Sequence, residues 1–328
     1  MSYHYYAPFI DDYCSFNFER PRILEIGVSS GIMLIALTER LTQRKKPFQY
    51  DGIDVKHDQG LISLLTILRR NNREHTINYL EHNSLALLPT MVEGLNFKIN
   101  KRDISIRLNT SKFLDPSQEY APSFPDVITV GIYYDIILID GDHNYFTVKK
   151  ELEYIQPMTR ENTLIICDDY NTGWAEEDMF YATRSSHEEL TALTPVIKGE
   201  KRGVRAAVDD FLKSNPQWKK IEELSADNFK KSDDTFVSDA CVLYHEDNTI
   251  IKNVKQKINQ YTLDNGSALT LSDYILQHRC SQTLAATMLV LDIKTLEHEV
   301  PSISDSWKKI EQEIDSLQLL DNSNFKEE

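Results

Sequence analysis

The chain has 328 residues, enough for one large domain or for a domain with an appendage. Its 27% charged and 41% hydrophobic residues fit a soluble globular protein, and no apolar run approaches the roughly 20 residues that a membrane span needs. A net charge of −15 opposes general nucleic-acid binding, which needs a basic surface. The basic clusters at Arg44–Lys46 and Lys198–Arg205 read as solvated faces. The opening MSYHYYAPFIDDYC lacks a basic region followed by an apolar core, so no signal peptide is expected. Cys14, Cys167, Cys241 and Cys280 form no metal-binding spacing and read as reduced thiols of a cytoplasmic protein.

The first structured segment is ILEIGVSSG, Ile23 to Gly31. Arg22–Ile26 reads as a strand, Met33–Leu41 as an amphipathic helix, and the small residues between them make the tight turn. Phe48–Val55 is a second strand carrying Asp54 near its end. Leu61–Arg70 is helical, Thr76–Leu80 is a third strand, and HNSLALLPTM follows. Residues from about 94 to 133 read as an insertion with a possible hairpin at Phe97–Leu108 and a Pro/Ser-rich loop. Beyond it, Tyr134–Ile139 and Thr163–Cys167 are continuous apolar runs, as expected of parallel strands covered on both faces. Phe146–Ile155 and Val204–Lys213 are helical, and Trp218–Leu224 with Val237–Tyr244 close the sheet with an antiparallel edge. Alternation of this kind predicts an α/β, doubly wound sheet with helices on both faces. Residues 246–328 read as a C-terminal helical extension with helices at Leu271–Glu299 and Ser304–Leu320. In the second of these, Ile310, Ile314 and Leu317 share a face that must be buried, against the core, as a lid or in a homodimer.

Ligands of such sheets bind beyond the carboxyl ends of the strands. There the turn reads E-x-G-x-S-x-G. A pyrophosphate site needs G-x-G-x-x-G, and Glu25 would repel a phosphate. An acid suits a cationic ligand instead, an ammonium or a sulfonium, and S-adenosylmethionine carries both without a phosphate. Asp54, placed to accept from both ribose hydroxyls, ends one strand, Asp140 a second, and the pair Asp168 and Asp169 a third. A helix cap or a turn accounts for any one of these acids. Two adjacent acids at one strand end need a cation to offset their repulsion.

The turn resembles motif I of the class I S-adenosylmethionine-dependent methyltransferases. LEIGVSSG, YDIILIDGDHNYFTVKKEL, TLIICDDY and GVRAAVDDFL together resemble the metal-dependent O-methyltransferases that act on catechols, caffeoyl-CoA and macrolide sugars. That resemblance covers about residues 20–245 and implies a Rossmann-like methyltransferase domain over 1–245. It implies Glu25, Gly27, Ser29 and Gly31 around the methionine part of S-adenosylmethionine, Asp54 at the ribose, and Asn83 with Ser84 at the adenine. It implies Mg²⁺, or Mn²⁺, on Asp140, Asp168 and Asp169, with Asp142 as a further ligand or supporting group. His143 stands where the catechol enzymes carry a general-base lysine, so it is the candidate base; capping the next helix or hydrogen-bonding a carboxylate is the alternative. This departure points away from catechols and towards a small-molecule or sugar hydroxyl. Tyr145, Tyr170 and Trp174 are candidates for the acceptor pocket or for ordinary packing. Three other readings stay open: a methyltransferase fold without turnover, a nicotinamide oxidoreductase, and a non-methylating enzyme similar to cephalosporin hydroxylases. No nucleic-acid or membrane partner is expected.

Overall fold

The computed structural model of the protein describes residues 6–56, 75–92, 97–98, 127–128, 133–171, 173–185, 193–221, 240–251, 290–292 and 312. Its centre is an eight-stranded sheet in the order β10-β3-β2-β1-β6-β7-β9-β8. The strands are β1 (Arg22–Ile26), β2 (Gln49–Asp54), β3 (Thr76–Glu81), β6 (Ile136–Ile139), β7 (Leu164–Cys167), β8 (Trp218–Lys220), β9 (Cys241–His245) and β10 (Val290–Asp292). Pairing is parallel from β10 to β7 and antiparallel from β7 through β9 to β8. The expected antiparallel edge is therefore present.

Strand alternation sends each side chain to one of two cores. Ile23, Tyr50, Ile136, Leu138 and Ile166 face one layer, which holds α1 (Ala7–Asn17) and α2 (Ile32–Gln43). Leu24, Ile53, Ile137, Ile139 and Ile165 face the other, which holds α3 (Ser84–Val92), α4 (Tyr145–Ile155) and α5 (Gly203–Ser214). All four residues of β6 and all four of β7 are buried, which is why their sequences show no polar alternation.

One expectation is corrected. Val290–Asp292 lies within the stretch read as a helix over Leu271–Glu299, yet it is a strand that pairs in parallel with β3. The run VLD is β-prone, and the edge of β3 offers it backbone partners that helix periodicity cannot reveal. Phe97–Lys98 (β4) pairs antiparallel with Val127–Ile128 (β5), and the rest of the Phe97–Leu108 stretch lies outside the described residues. Near the N-terminus, Tyr6 and Phe9 are buried in the core, and the Tyr6 hydroxyl donates to the Ala240 carbonyl at 3.0 Å. Tyr3, Tyr5, the Leu61–Arg70 helix and the Ser304–Leu320 helix, Gln312 apart, lie outside the described residues.

Candidate active site

The chemistry-bearing residues gather at the carboxyl edge of β1, β2, β6 and β7. Gly27 ends β1 with φ +86°, and its N–H donates to the Ile53 carbonyl of β2 at 2.8 Å. A Cβ on Gly27 would lie 1.9 Å from the Asp140 carbonyl oxygen. Glycine is thus required twice here, for backbone angle and for contact with the β6 turn. Gly31 caps α2 with φ +77° and donates its N–H to the Val28 carbonyl at 2.8 Å. Ser29 is exposed and its N–H donates to Asp54 Oδ2 at 2.8 Å, while the Lys56 N–H donates to Asp54 Oδ1 at 3.1 Å. Burial nevertheless raises the Asp54 carboxyl to about 6, these backbone donors opposing the shift.

A cavity of about 320 Å³ opens at this edge. Of the residues singled out in the sequence, Gly27, Ser29, Asp54, Asn83, Ser84 and Asp140 line it, as does Asp142. Glu25 does not. It faces the α1–α2 side, is fully buried, and accepts a hydrogen bond from the Tyr50 hydroxyl. Gly31, His143, Asp168 and Asp169 are also off the wall. Asn83 binds within the protein: its Oδ1 accepts from the Leu85 N–H at 2.9 Å and its Nδ2 donates to Thr194 Oγ1 at 3.1 Å.

Asp140, Asp168 and Asp169 do come together with His143. Asp140 and Asp168 hydrogen-bond to one another. Burial, then the Asp168 carboxylate, push the Asp140 carboxyl well above its ordinary range. His143 Nδ1 lies 3.1 Å from Asp169 Oδ2, and its Nε2 lies 3.7 Å from Asp140 Oδ1. Burial lowers the imidazole to about 4, so it is neutral at pH 7 and a weaker base than a free histidine. The cap of α4 is Asn144, whose Oδ1 accepts from the Thr147 N–H at 2.8 Å, so His143 is not the cap. Asp169 is held in the left-handed region at φ +54°.

Among the described residues no three His, Cys, Asp or Glu side chains are arranged as a ready metal cage. The donor set still suits a hard divalent cation. Two neighbouring strands end in oxygen donors, Asp140 and the adjacent Asp168 and Asp169, whose mutual repulsion a divalent cation would offset.

Tyr145, Tyr170 and Trp174 serve α5 instead of the cavity. The Tyr145 hydroxyl donates to Asp210 at 2.7 Å, the Tyr170 hydroxyl to Asp209 at 2.8 Å, and the Trp174 carbonyl accepts from Val204 N–H at 3.1 Å. Tyr181, Thr194 and Glu151 are among the cavity residues that the sequence did not single out. Tyr181, whose N–H donates to Asp142 at 2.9 Å, and Thr194 come from the loop after β7, which has no periodicity to read. Glu151 did leave a signal. It is an acid on the buried stripe of α4, between Val148 and Ile155.

Residues 24–170 match the family model described as a methyltransferase domain. That stretch, under half of the chain, runs from β1 through β7 of the α/β, doubly wound sheet. No curated protein matches the chain significantly. Among solved structures it is similar to a Staphylococcus aureus protein assigned as a caffeoyl-CoA O-methyltransferase, at 13% identity and TM-score 0.35 over 73% of this chain and 81% of that one. It is similar to MycE of the mycinamycin biosynthetic pathway, solved with Mg, SAH and mycinamycin VI, at 12% identity and TM-score 0.36. That match covers 74% of this chain and half, 50%, of MycE. A third is the Podospora anserina methyltransferase PaMTH1 with SAH bound, at 13% identity and TM-score 0.34 over 73% and 77%.

Among the described residues no helix is long and apolar enough to cross a membrane.

Proposed function

We propose that the protein is an S-adenosylmethionine-dependent O-methyltransferase acting on a hydroxyl of a small molecule or sugar, with Mg²⁺ (or Mn²⁺) held by Asp140, Asp168 and Asp169. The observation that carries the reading is the meeting, at one sheet edge, of the Gly27–Asp54 cradle with the Asp140–Asp168–Asp169 carboxylates.

In this reading Gly27 and Ser29 let the donor approach the backbone, and Asp54 accepts from the ribose hydroxyls while its own backbone donors hold it in place. Glu25, buried behind the turn on Tyr50, supports the turn and does not touch the donor. Bound S-adenosylmethionine supplies a methyl group on a sulfonium. A divalent cation on the three carboxylates would supply Lewis acidity, lowering the pKa of the acceptor hydroxyl. His143 then receives the hydroxyl proton at Nε2, its Nδ1 side being turned to Asp169. A base brought down to about 4 needs an acidified hydroxyl as partner, which ties His143 to the carboxylate cluster.

Calorimetric titration of S-adenosylmethionine into the protein, with Mg²⁺ and with chelator, tests the donor site. Micromolar binding in both is expected, with methyl transfer to hydroxylated acceptors only when metal is present. Absence of binding in both removes the reading.

A further inference from the structure

Cys167 and Cys241 are buried nucleophiles that the proposed reaction does not use. Both are fully buried, and both face the core layer of α3, α4 and α5. They stand directly opposite one another, Cys167 as the last residue of β7 and Cys241 as the first of β9. Their side chains are hydrogen-bonded to each other. Cys14 belongs to the opposite layer, so the sheet separates it from them.

The backbone fixes the spacing of the pair. On the far side of β9 the Ile221 N–H donates to the Val242 carbonyl at 2.8 Å, and on the far side of β7 the Asp168 N–H donates to the Ile139 carbonyl at 2.9 Å. Backbone groups alternate along a strand, so Cys167 and Cys241 turn theirs toward each other as a hydrogen-bonded pair. Such a pair places its Cα atoms about 5.5 Å apart, inside the roughly 4.4–6.8 Å that a disulfide spans. The Cβ atoms, about 5.5 Å apart in such a pair, must close to about 3.8 Å. That closure strains the ladder, and a strained disulfide is readily reduced.

We propose that Cys167 and Cys241 are a reversible redox pair, closed into a cross-strand disulfide by hydrogen peroxide and reopened by a small thiol. One sulfur attacks the peroxide and breaks its O–O bond, giving a sulfenic acid and one water. The second sulfur displaces the sulfenic hydroxyl as another water and forms the S–S bond. Two thiols are oxidised, one peroxide is reduced, and both thiol protons leave in the waters. The hydrogen bond to Cys241, and then burial, push the Cys167 thiol well above its ordinary range, so the closed sheet protects it. Both cysteines lie at the same end of the β7–β9 ladder, and strand ends open below the free energy of global unfolding. The bond forms through that opening and ties down the strand end that leads directly into Asp168. This chemistry is independent of the methyltransferase reading.

The test treats the folded protein with hydrogen peroxide, counts free thiols in denaturant, and maps the alkylated peptides by mass spectrometry, with circular dichroism following the fold. The expected product has lost two hydrogens and two free thiols and carries Cys167 linked to Cys241. Glutathione, without denaturant, is expected to restore both thiols. Dominant pairing of either cysteine with Cys14 or Cys280, or between two chains, overturns the proposal. So does sulfinic acid at Cys167 or Cys241 in place of the disulfide, and so do two thiols that stay free for as long as the protein stays folded. A bond that glutathione opens only in denaturant is a fixed bridge and overturns the reversible pair.

Discussion

Replacing Gly27 by alanine should be far more damaging than replacing Gly141, although the two residues face each other across one turn. At Gly27 a Cβ would meet the Asp140 carbonyl oxygen at 1.9 Å, its carbon at 2.3 Å and the Gly141 nitrogen at 2.6 Å. None of these is a flexible side chain, so β1 and β6 must part. Overpacking of this sort costs about 1–3 kcal/mol, and holding alanine at φ +86° adds about 1–2 kcal/mol. The sum, about 2–5 kcal/mol, lowers the melting temperature by roughly 5–15 °C in a domain of this size. At Gly141 the nearest atoms are Ile26 Cγ2 at 3.4 Å and Glu151 Oε1 at 3.5 Å, ordinary contacts, and its φ is not positive. Gly141→Ala should therefore stay within about 1 kcal/mol of the wild type. Thermal unfolding followed by circular dichroism measures both. Equal melting temperatures for Gly27→Ala and the wild type would refute the argument that backbone contact dictates this glycine. The Gly27 variant should also lose S-adenosylhomocysteine affinity, because the displaced turn carries Asp140 and the Ser29 N–H with it.

Three further outcomes are expected. Asp168→Ala should abolish methyl transfer while leaving S-adenosylhomocysteine affinity within about threefold, measured by radiolabel transfer and calorimetry; surviving turnover would rule out the carboxylate cluster. Asp54→Ala should weaken the same ligand by about tenfold or more, since it removes the ribose acceptor and releases two backbone N–H groups. Glu151→Gln should flatten the dependence of stability on pH. Because the folded-state value, about 8, lies above the ordinary carboxyl value of 4.5, the folded chain keeps a proton that the unfolded chain has lost between those limits. Wild-type stability therefore falls as pH rises from about 5 to 8, and the glutamine variant, which does not titrate, should gain on the wild type at pH 8 relative to pH 5. Parallel pH–melting curves would show that this acid ionises freely.

Much of the sheet was legible because burial on both faces writes itself into composition. YDIILI and TLIIC have no polar alternation, and the strands β6 and β7 lie where those runs occur. The acids that end β2, β6 and β7 were readable for the same reason, since a carboxylate closing an apolar run is conspicuous. Chain order and strand ends thus placed Asp54, Asp140, Asp168 and Asp169 at one edge before any coordinate was known. What local pattern could not supply was direction. Glu25 sits inside the most telling motif, yet strand alternation turns it to Tyr50 and the α1–α2 core, away from the cavity. Tyr145 and Tyr170 lie beside the site in sequence, but the acids of α5 draw their hydroxyls elsewhere. The basicity of His143 depends on burial, which a sequence does not state. Val290–Asp292 found its strand partner on β3, more than 200 positions away, and Glu151 became part of a wall only where α3 meets α4. Periodicity is a property of neighbours along the chain. Side-chain direction, desolvation and edge pairing are decided by whatever the fold brings alongside.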